Sequence, residues 1–316
     1  MILEKDKETF EWSQCSMGGG GYITGILQNS INSELLYARC DVAGVFKSVD
    51  GGKSWRAINN GMNKCHEHSV QSFAMNPNDP NILIRCSGEA RGHKIFGTIH
   101  KSINGGNSWY EVSTDVDFYG NGTTRMYGEV IAFNSNSVYV GGFSSGLWAS
   151  DDGGETFYYC GLKGERISCV AVHPLVKDKI YVGSIGDDFV SGVSDTKLYR
   201  QHDYKRGRKG KLFCSNDKGK TWELLRENCD FAELSFDMDD PKIIHAACIK
   251  LGIQKSKDGG ITWEKKSKGL LEGVNYGTIS VDLNNSAIIY CAPCLYGEHT
   301  FASPISIFKS IDKGET

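Results

Sequence analysis

The sequence predicts an all-β propeller of four-stranded antiparallel blades. Three observations lead there: an eight-residue motif that recurs along the whole chain, short β-rich runs between the copies, and no segment with sustained helical periodicity. The motif, Ser-x-Asp/Asn-x-Gly-x-Ser/Thr-Trp/Phe, is complete at Ser48–Trp55, Ser102–Trp109, Ser150–Phe157, Ser215–Trp222 and Ser256–Trp263. A sixth copy starts at Ser310, and the sequence stops at Thr316, one residue before its aromatic is due. Six copies at intervals of 41 to 65 residues make a chance match untenable.

Each part of the motif has a physical task. The Asp or Asn accepts backbone N–H groups inside its own turn. The glycine two positions later permits positive φ. The Ser/Thr and the aromatic open the next strand, whose ring is expected to pack between neighbouring sheets. The aspartates Asp50, Asp152, Asp217 and Asp258 are therefore read as turn-formers and not as catalysts.

Upstream of each box lies the rest of a blade. The first reads Tyr22–Leu27, Leu35–Cys40 and Gly44–Ser48; the second has Ser72–Pro77 and Asn81–Cys86; the third has Val130–Phe133 and Val138–Gly141. The fourth has Cys169–Pro174 and Ile180–Gly183, the fifth Leu234–Phe236 and Ile243–His245, the sixth Ile279–Val281 and Ile288–Tyr290. Asn-Pro, Asp-Pro and Gly-Gly turns part these runs, as hairpins require. Blades are expected over about 17–60, 68–114, 127–162, 166–227, 231–268 and 276–316, all in one domain. Two closures follow. Residues 8–16, with Thr9-Phe10-Glu11-Trp12, read like the strand after a box and could complete the sixth blade. Alternatively the chain is a piece of a longer protein, which the mid-box ending favours.

Bulk composition fits this picture. The 316 residues are 40% hydrophobic and 23% charged, with net charge −3, 38 glycines and 6 prolines. Nothing in that balance calls for nucleic acid or an anionic membrane, and no apolar run approaches the ~20 residues of a membrane helix. No cofactor is called for. The start, Met1 to Glu8, lacks the apolar core of a signal peptide. Eleven cysteines, several inside apolar runs, read as buried free thiols and favour a reducing compartment.

The boxes resemble the Asp-boxes of sialidase-like propellers, where they are structural. A more specific resemblance lies in the first blade. Gly18-Gly19-Gly20-Gly21-Tyr22-Ile23-Thr24-Gly25-Ile26 and Tyr37-Ala38-Arg39-Cys40-Asp41-Val42-Ala43-Gly44 resemble the opening of glycoside hydrolase family 74, the xyloglucanases. Tyr127-Gly128-Glu129-Val130-Ile131-Ala132 is similar to the family segment before its third blade. The resemblance implies an inverting β-1,4-glucanase acting on branched glucans, with Asp41 as general base. The acid partner is expected on a second propeller downstream, beyond this chain. Arg39, Tyr22, Tyr127 and Glu129 are expected to line the substrate cleft, and the partner is a polysaccharide or oligosaccharide. The resemblance also favours secretion, against the cysteine reading, so localisation stays open. Cys40 and Ala43 stand where the family pattern has Thr and Gly.

Asp41 is singled out without the family as well. Aligned on the second strand, its position holds Gly88, Phe143, Ile185, Ile249 and Cys294 in the other blades. Arg39, two residues earlier, is expected to share its strand face and to favour its ionised form; a turn-capping Asp41 salt-bridged to Arg39 is the structural alternative. As a whole, the rival to the hydrolase is a non-catalytic scaffold binding carbohydrate or protein. A sialidase would need three arginines, for which Arg39, Arg85 and Arg125 are available, but its Arg-Ile-Pro signature is absent. Cys65-His66-Glu67-His68 has metal-ligand residue types without a second cluster and reads as a loop; no metal is expected. Cys291-x-x-Cys294 stands alone. Tyr204 to Lys211 is a basic stretch in a long insertion, read as a solvated loop. Asn121-Gly122-Thr123 is a glycosylation sequon whose weight depends on secretion.

Overall fold

A computed structural model describes residues 20–91, 94–122, 125, 127–186, 209–294 and 306–315. The candidate closing strand at 8–16, Gly18, Gly19, most of the basic stretch and Thr123 of the sequon lie outside these residues. The fold is an all-β propeller of six antiparallel sheets, five of four strands and one of three. The first sheet is β1 (Ile23–Gln28), β2 (Leu36–Cys40), β3 (Gly44–Ser48) and β4 (Arg56–Ala57). The second is β5 (Val70–Met75), β6 (Leu83–Arg91), β7 (Lys94–Ser102) and β8 (Tyr110–Ser113). The third is β9 (Ile131–Asn134), β10 (Ser137–Gly141), β11 (Leu147–Ser150) and β12 (Tyr158–Gly161). The fourth is β13 (Arg166–Val172), β14 (Ile180–Ile185), β15 (Lys211–Ser215) and β16 (Glu223–Glu227). The fifth is β17 (Asp230–Phe236), β18 (Ile244–Ile249), β19 (Gly252–Ser256) and β20 (Glu264–Lys265). The sixth is β21 (Asn275–Asp282), β22 (Asn285–Cys294) and β23 (Phe308–Ser310). A 3₁₀ turn spans Cys65–His68, Arg125 is also in 3₁₀ conformation, and no helix among the described residues is long and apolar enough to cross a membrane.

Every complete box sits between the third and fourth strands of its sheet and closes as the sequence demands. In the first, Ser48 Oγ accepts the Gly52 N–H at 2.9 Å, while Asp50 accepts the Ser54 N–H at 2.9 Å. Asp217 and Asp258 repeat this with Thr221 and Thr262. The Ser54, Thr221 and Thr262 hydroxyls, followed by the N–H groups of the same residues, hold Asp50, Asp217 and Asp258 down at about 2, so these three carboxylates are ionised and engaged. The aromatics divide in a way the motif did not show. Trp109 and Trp222 reach the preceding sheet, bonding Ile58 O at 2.7 Å and Cys160 O at 3.0 Å. Trp55 and Trp263 instead fold onto their own box glycines.

The innermost strands carry a bulge at one matching place in five sheets, between Ile23 and Gly25, Val70 and Ser72, Ile167 and Cys169, Phe231 and Glu233, and Tyr276 and Thr278. An extra residue there breaks the alternation of faces and re-aims side chains. Flanking sheets bury each other's apolar faces except at one place. Ile26 is 63% exposed, while its counterparts Phe73, Ile131, Val170, Leu234 and Ile279 are 8% or less. Tyr290 of the sixth sheet is 37% exposed, against 1% or less for its five counterparts. Among the described residues, these two sides meet no neighbouring sheet.

Candidate functional site

The boxes all lie at one end of the propeller. The turns between second and third strands, and the links from one sheet to the next, lie at the other. Asp41 follows β2 at that second end. The ladder registers put Cys40 opposite Ile23 and Ser87 opposite Val70, and Ser184 and Cys248 lie opposite Ile167 and Phe231. Asp41 therefore matches Gly88, Ile185 and Ile249 as expected, and the first sheet alone places a carboxylate there.

Asp41 Oδ1 accepts the Tyr22 N–H at 2.8 Å, and the Asp41 N–H returns to Tyr22 O at 3.1 Å. Cys40 Sγ approaches the same oxygen at 3.7 Å. Oδ2 faces Arg125 Nε at 3.6 Å, and the residue is 8% exposed. The glycine run explains how the chain passes so close. Gly21 has φ +107°, and a Cβ there would meet Cys40 Sγ at 2.4 Å and Asp41 Oδ1 at 3.1 Å. Gly25 leaves room for the Arg39 guanidinium, whose Nε lies 2.5 Å from where its Cβ would stand.

Arg39 is not Asp41's partner. Its Nε pairs with Glu129 Oε1 at 2.9 Å, and its other nitrogens donate to Thr24 Oγ1 at 2.9 Å, Tyr127 O at 3.2 Å and Arg125 O at 3.3 Å. The strand ends at Cys40, so the alternation expected to carry Asp41 onto the Arg39 face does not extend to it. The cation beside Asp41 is Arg125, which donates to Asn121 O at 2.6 Å. Arg125 arrives on the link into the third sheet, and no local signal at Asp41 could have found it. Tyr127 is also corrected: it is 3% exposed and packs with Ile185, Ala232, Ile249 and Tyr276, so it offers no stacking surface. Tyr22, at 46% exposed, does offer one.

Glu129 sits at the centre of the ring. Besides Arg39, it accepts the Ser72 hydroxyl and the Phe73 N–H at 2.9 Å. Its neighbour Gly128 donates to Ala232 O at 2.9 Å, across to the fifth sheet. Glu233 there bonds the Thr278 hydroxyl and the Ile279 N–H, the sixth-sheet counterparts of Ser72 and Phe73. Burial pushes Glu233 up to about 7; the Thr278 and Ile279 bonds oppose this, Glu129 adds to it and Arg39 opposes it.

The Cys65–His68 cluster proves to be an ion-pair network. Glu67 caps its own turn by accepting the Asn63 and Lys64 N–H groups at 2.7 and 2.9 Å. Glu67, His100 and Glu111 bring ligand atoms within 4.8 Å of one another. The Lys64 ammonium, 3.4 Å from Glu67 and 2.7 Å from Glu111, supplies the balancing cation. The three arginines of the sialidase alternative do not converge. Arg85 is fully buried, bonded to Ser87 and to the Glu67 carbonyl, while Arg39 is committed to Glu129.

Comparison with known proteins agrees with the fold. A profile for the BNR/Asp-box repeat matches residues 254–265, the fifth box. An oligoxyloglucan-reducing end-specific xyloglucanase of Emericella nidulans is 26% identical over 239 residues, 69% of this chain and 25% of that protein. A xyloglucanase of Hypocrea jecorina is 30% identical over 158 residues, 47% of this chain and 19% of that one. The family 74 xyloglucanase structure from Xanthomonas campestris superposes with TM-score 0.76 at 18% identity, covering 97% of this chain and 46% of its own. The family 74 enzyme of Niastella koreensis gives 0.74 at 23% identity, covering 96% and 45%. This chain has the fold of a family 74 propeller. It spans about a quarter or less of the curated relatives it matches here and about half of the two solved chains. In it, the first-blade segment and the Tyr127–Ala132 segment meet through Arg39, which pairs with Glu129 and donates to the Tyr127 carbonyl.

Proposed function

We propose that this propeller acts on xyloglucan-like β-1,4-glucans, with Asp41 as the general base of an inverting glycosidase. The observation that carries the reading is Asp41, the one carboxylate at its strand position among the six sheets, in the segment that resembles xyloglucanases. An inverting enzyme needs one carboxylate to activate water and a second carboxyl group roughly 6.5–9.5 Å away to protonate the leaving oxygen. The second belongs to another propeller in this reading. Arg125 steadies the Asp41 carboxylate, exposed Tyr22 lies beside it as a sugar platform, and Arg39, Tyr127 and Glu129 brace the wall behind them.

The test compares the protein carrying this chain with its Asp41→Asn variant, whose amide oxygen can still accept the Tyr22 N–H. Wild type is expected to cleave xyloglucan with inversion, read by NMR of the fresh product. The variant is expected to lose about 10²–10⁴-fold in kcat, the usual contribution of a general base. Xyloglucan hydrolysis that survives the change removes Asp41 from the mechanism. The low exposure of Asp41 and its bond to Tyr22 favour a second reading, a non-catalytic carbohydrate- or protein-binding scaffold. There, wild type shows no hydrolysis and Asp41→Asn shifts only the thermal midpoint.

A further inference from the structure

We propose that a lysine-lined cleft between the fifth and sixth sheets binds a carboxylate-bearing glycan. The cleft encloses about 730 Å³ between the Lys250–Leu251 turn and the Ser267–Val274 link. Both segments lie at the end of the propeller that carries Asp41. Lys250, Lys265 and Lys268 line it against a single acid, Glu272. In a chain of net charge −3, this is a local excess of positive charge.

The three lysines differ from those that the fold holds in ion pairs. Lys101 pairs with Glu155 at 2.7 Å, Lys255 with Glu315 at 3.0 Å and Lys313 with Asp237 at 3.1 Å. Among the described residues, no carboxylate pairs with Lys250, Lys265 or Lys268. Lys250 is also set in place: its backbone holds φ +65°, and Asn275 Oδ1 accepts its N–H at 2.9 Å. A lysine in this left-handed conformation is less favourable than glycine or asparagine, and such backbone strain gathers at binding sites.

The mixed lining selects the ligand class. Ammonium groups attract a carboxylate, while Leu251, Leu271 and Val274 offer apolar surface to the C–H faces of a sugar ring. A sugar acid in a glycan chain presents both. The inference rests on the proposed reading of this end as the glycan-facing one, and it extends the substrate class from neutral to acidic glycans.

Calorimetric titration of this chain with a galacturonic acid oligomer tests it, beside a neutral xyloglucan oligosaccharide and inorganic phosphate. The acidic oligomer is expected to bind at low salt and to weaken strongly at about 1 M salt, where the screening length is about 3 Å. Lys265→Glu/Lys268→Glu is expected to weaken it at least about tenfold, with Lys265→Ala/Lys268→Ala intermediate. An unchanged thermal midpoint shows that both variants fold. The proposal falls if the acidic oligomer does not bind, if it binds both variants as tightly as wild type, or if phosphate alone binds as well. Neutral xyloglucan binding is a separate outcome: its absence with the acidic oligomer still bound sinks the xyloglucan reading and keeps the cleft.

Discussion

Glu129→Ala should unfold the centre of the ring more readily than any exposed substitution. The change deletes the carboxylate that pairs with Arg39 at 2.9 Å and accepts the Ser72 hydroxyl and the Phe73 N–H. Arg39 is 4% exposed and keeps only neutral partners: the Thr24 hydroxyl and the carbonyls of Arg125 and Tyr127. Breaking a fully buried ion pair costs about 3–5 kcal/mol. The Glu129 side chain is 36% exposed, so water recovers part of that loss and the expected cost is about 2–4 kcal/mol. Urea unfolding followed by tryptophan fluorescence measures it. Glu129→Gln, which can still accept one bond but carries no charge, should fall between. In a cycle with Arg39→Met, the pair should show a coupling of at least about 1 kcal/mol. A Glu129→Ala protein within about 0.5 kcal/mol of wild type would mean that the guanidinium is satisfied without its carboxylate.

Glu233 predicts a pH dependence. Its folded-state value is raised to about 7 from 4.5, so between these values the native chain holds a proton that the unfolded chain releases. Its contribution is complete below the unfolded value and is lost as pH rises through about 7. Thermal midpoints measured across that window should fall with pH in wild type and flatten in Glu233→Gln; parallel curves would exclude the assignment. The exposed side of the first sheet gives a contrast of position. Ile131→Asp buries a charge where the native residue is 3% exposed and should cost at least about 4 kcal/mol, whereas Ile26→Asp, at 63%, should stay within about 0.5 kcal/mol. Equal losses by denaturant titration would show that the first sheet is covered in solution.

The blades were legible because each box is local: eight residues contain the serine, the aspartate and the glycine that bond to one another. Asp41 was legible for the same reason, since comparison with Gly88, Ile185 and Ile249 needs only strand register. Its surroundings were not. Arg39 was assigned to Asp41 because two-residue spacing along a strand implies a shared face, but the strand ends first and the guanidinium turns to Glu129, ninety positions away. Tyr127 looked like a sugar platform because an aromatic in a matching motif carries no mark of burial. What buries it is a crossing of the ring axis. The partition of the box tryptophans likewise depends on how closely adjacent sheets approach.

That crossing changes how the molecule should come apart. In repeat arrays each unit feels only its neighbours, so stability adds unit by unit and ends can fray alone. Here the stretch Tyr127–Val130 is tied to the first sheet through Arg39, to the second through Ser72, to the fourth through Val170 and to the fifth through Ala232. Detaching any one of these sheets strips a bond from a segment the others share. The hub thus turns a chain of neighbours into a wheel, whose melting is expected as a single event.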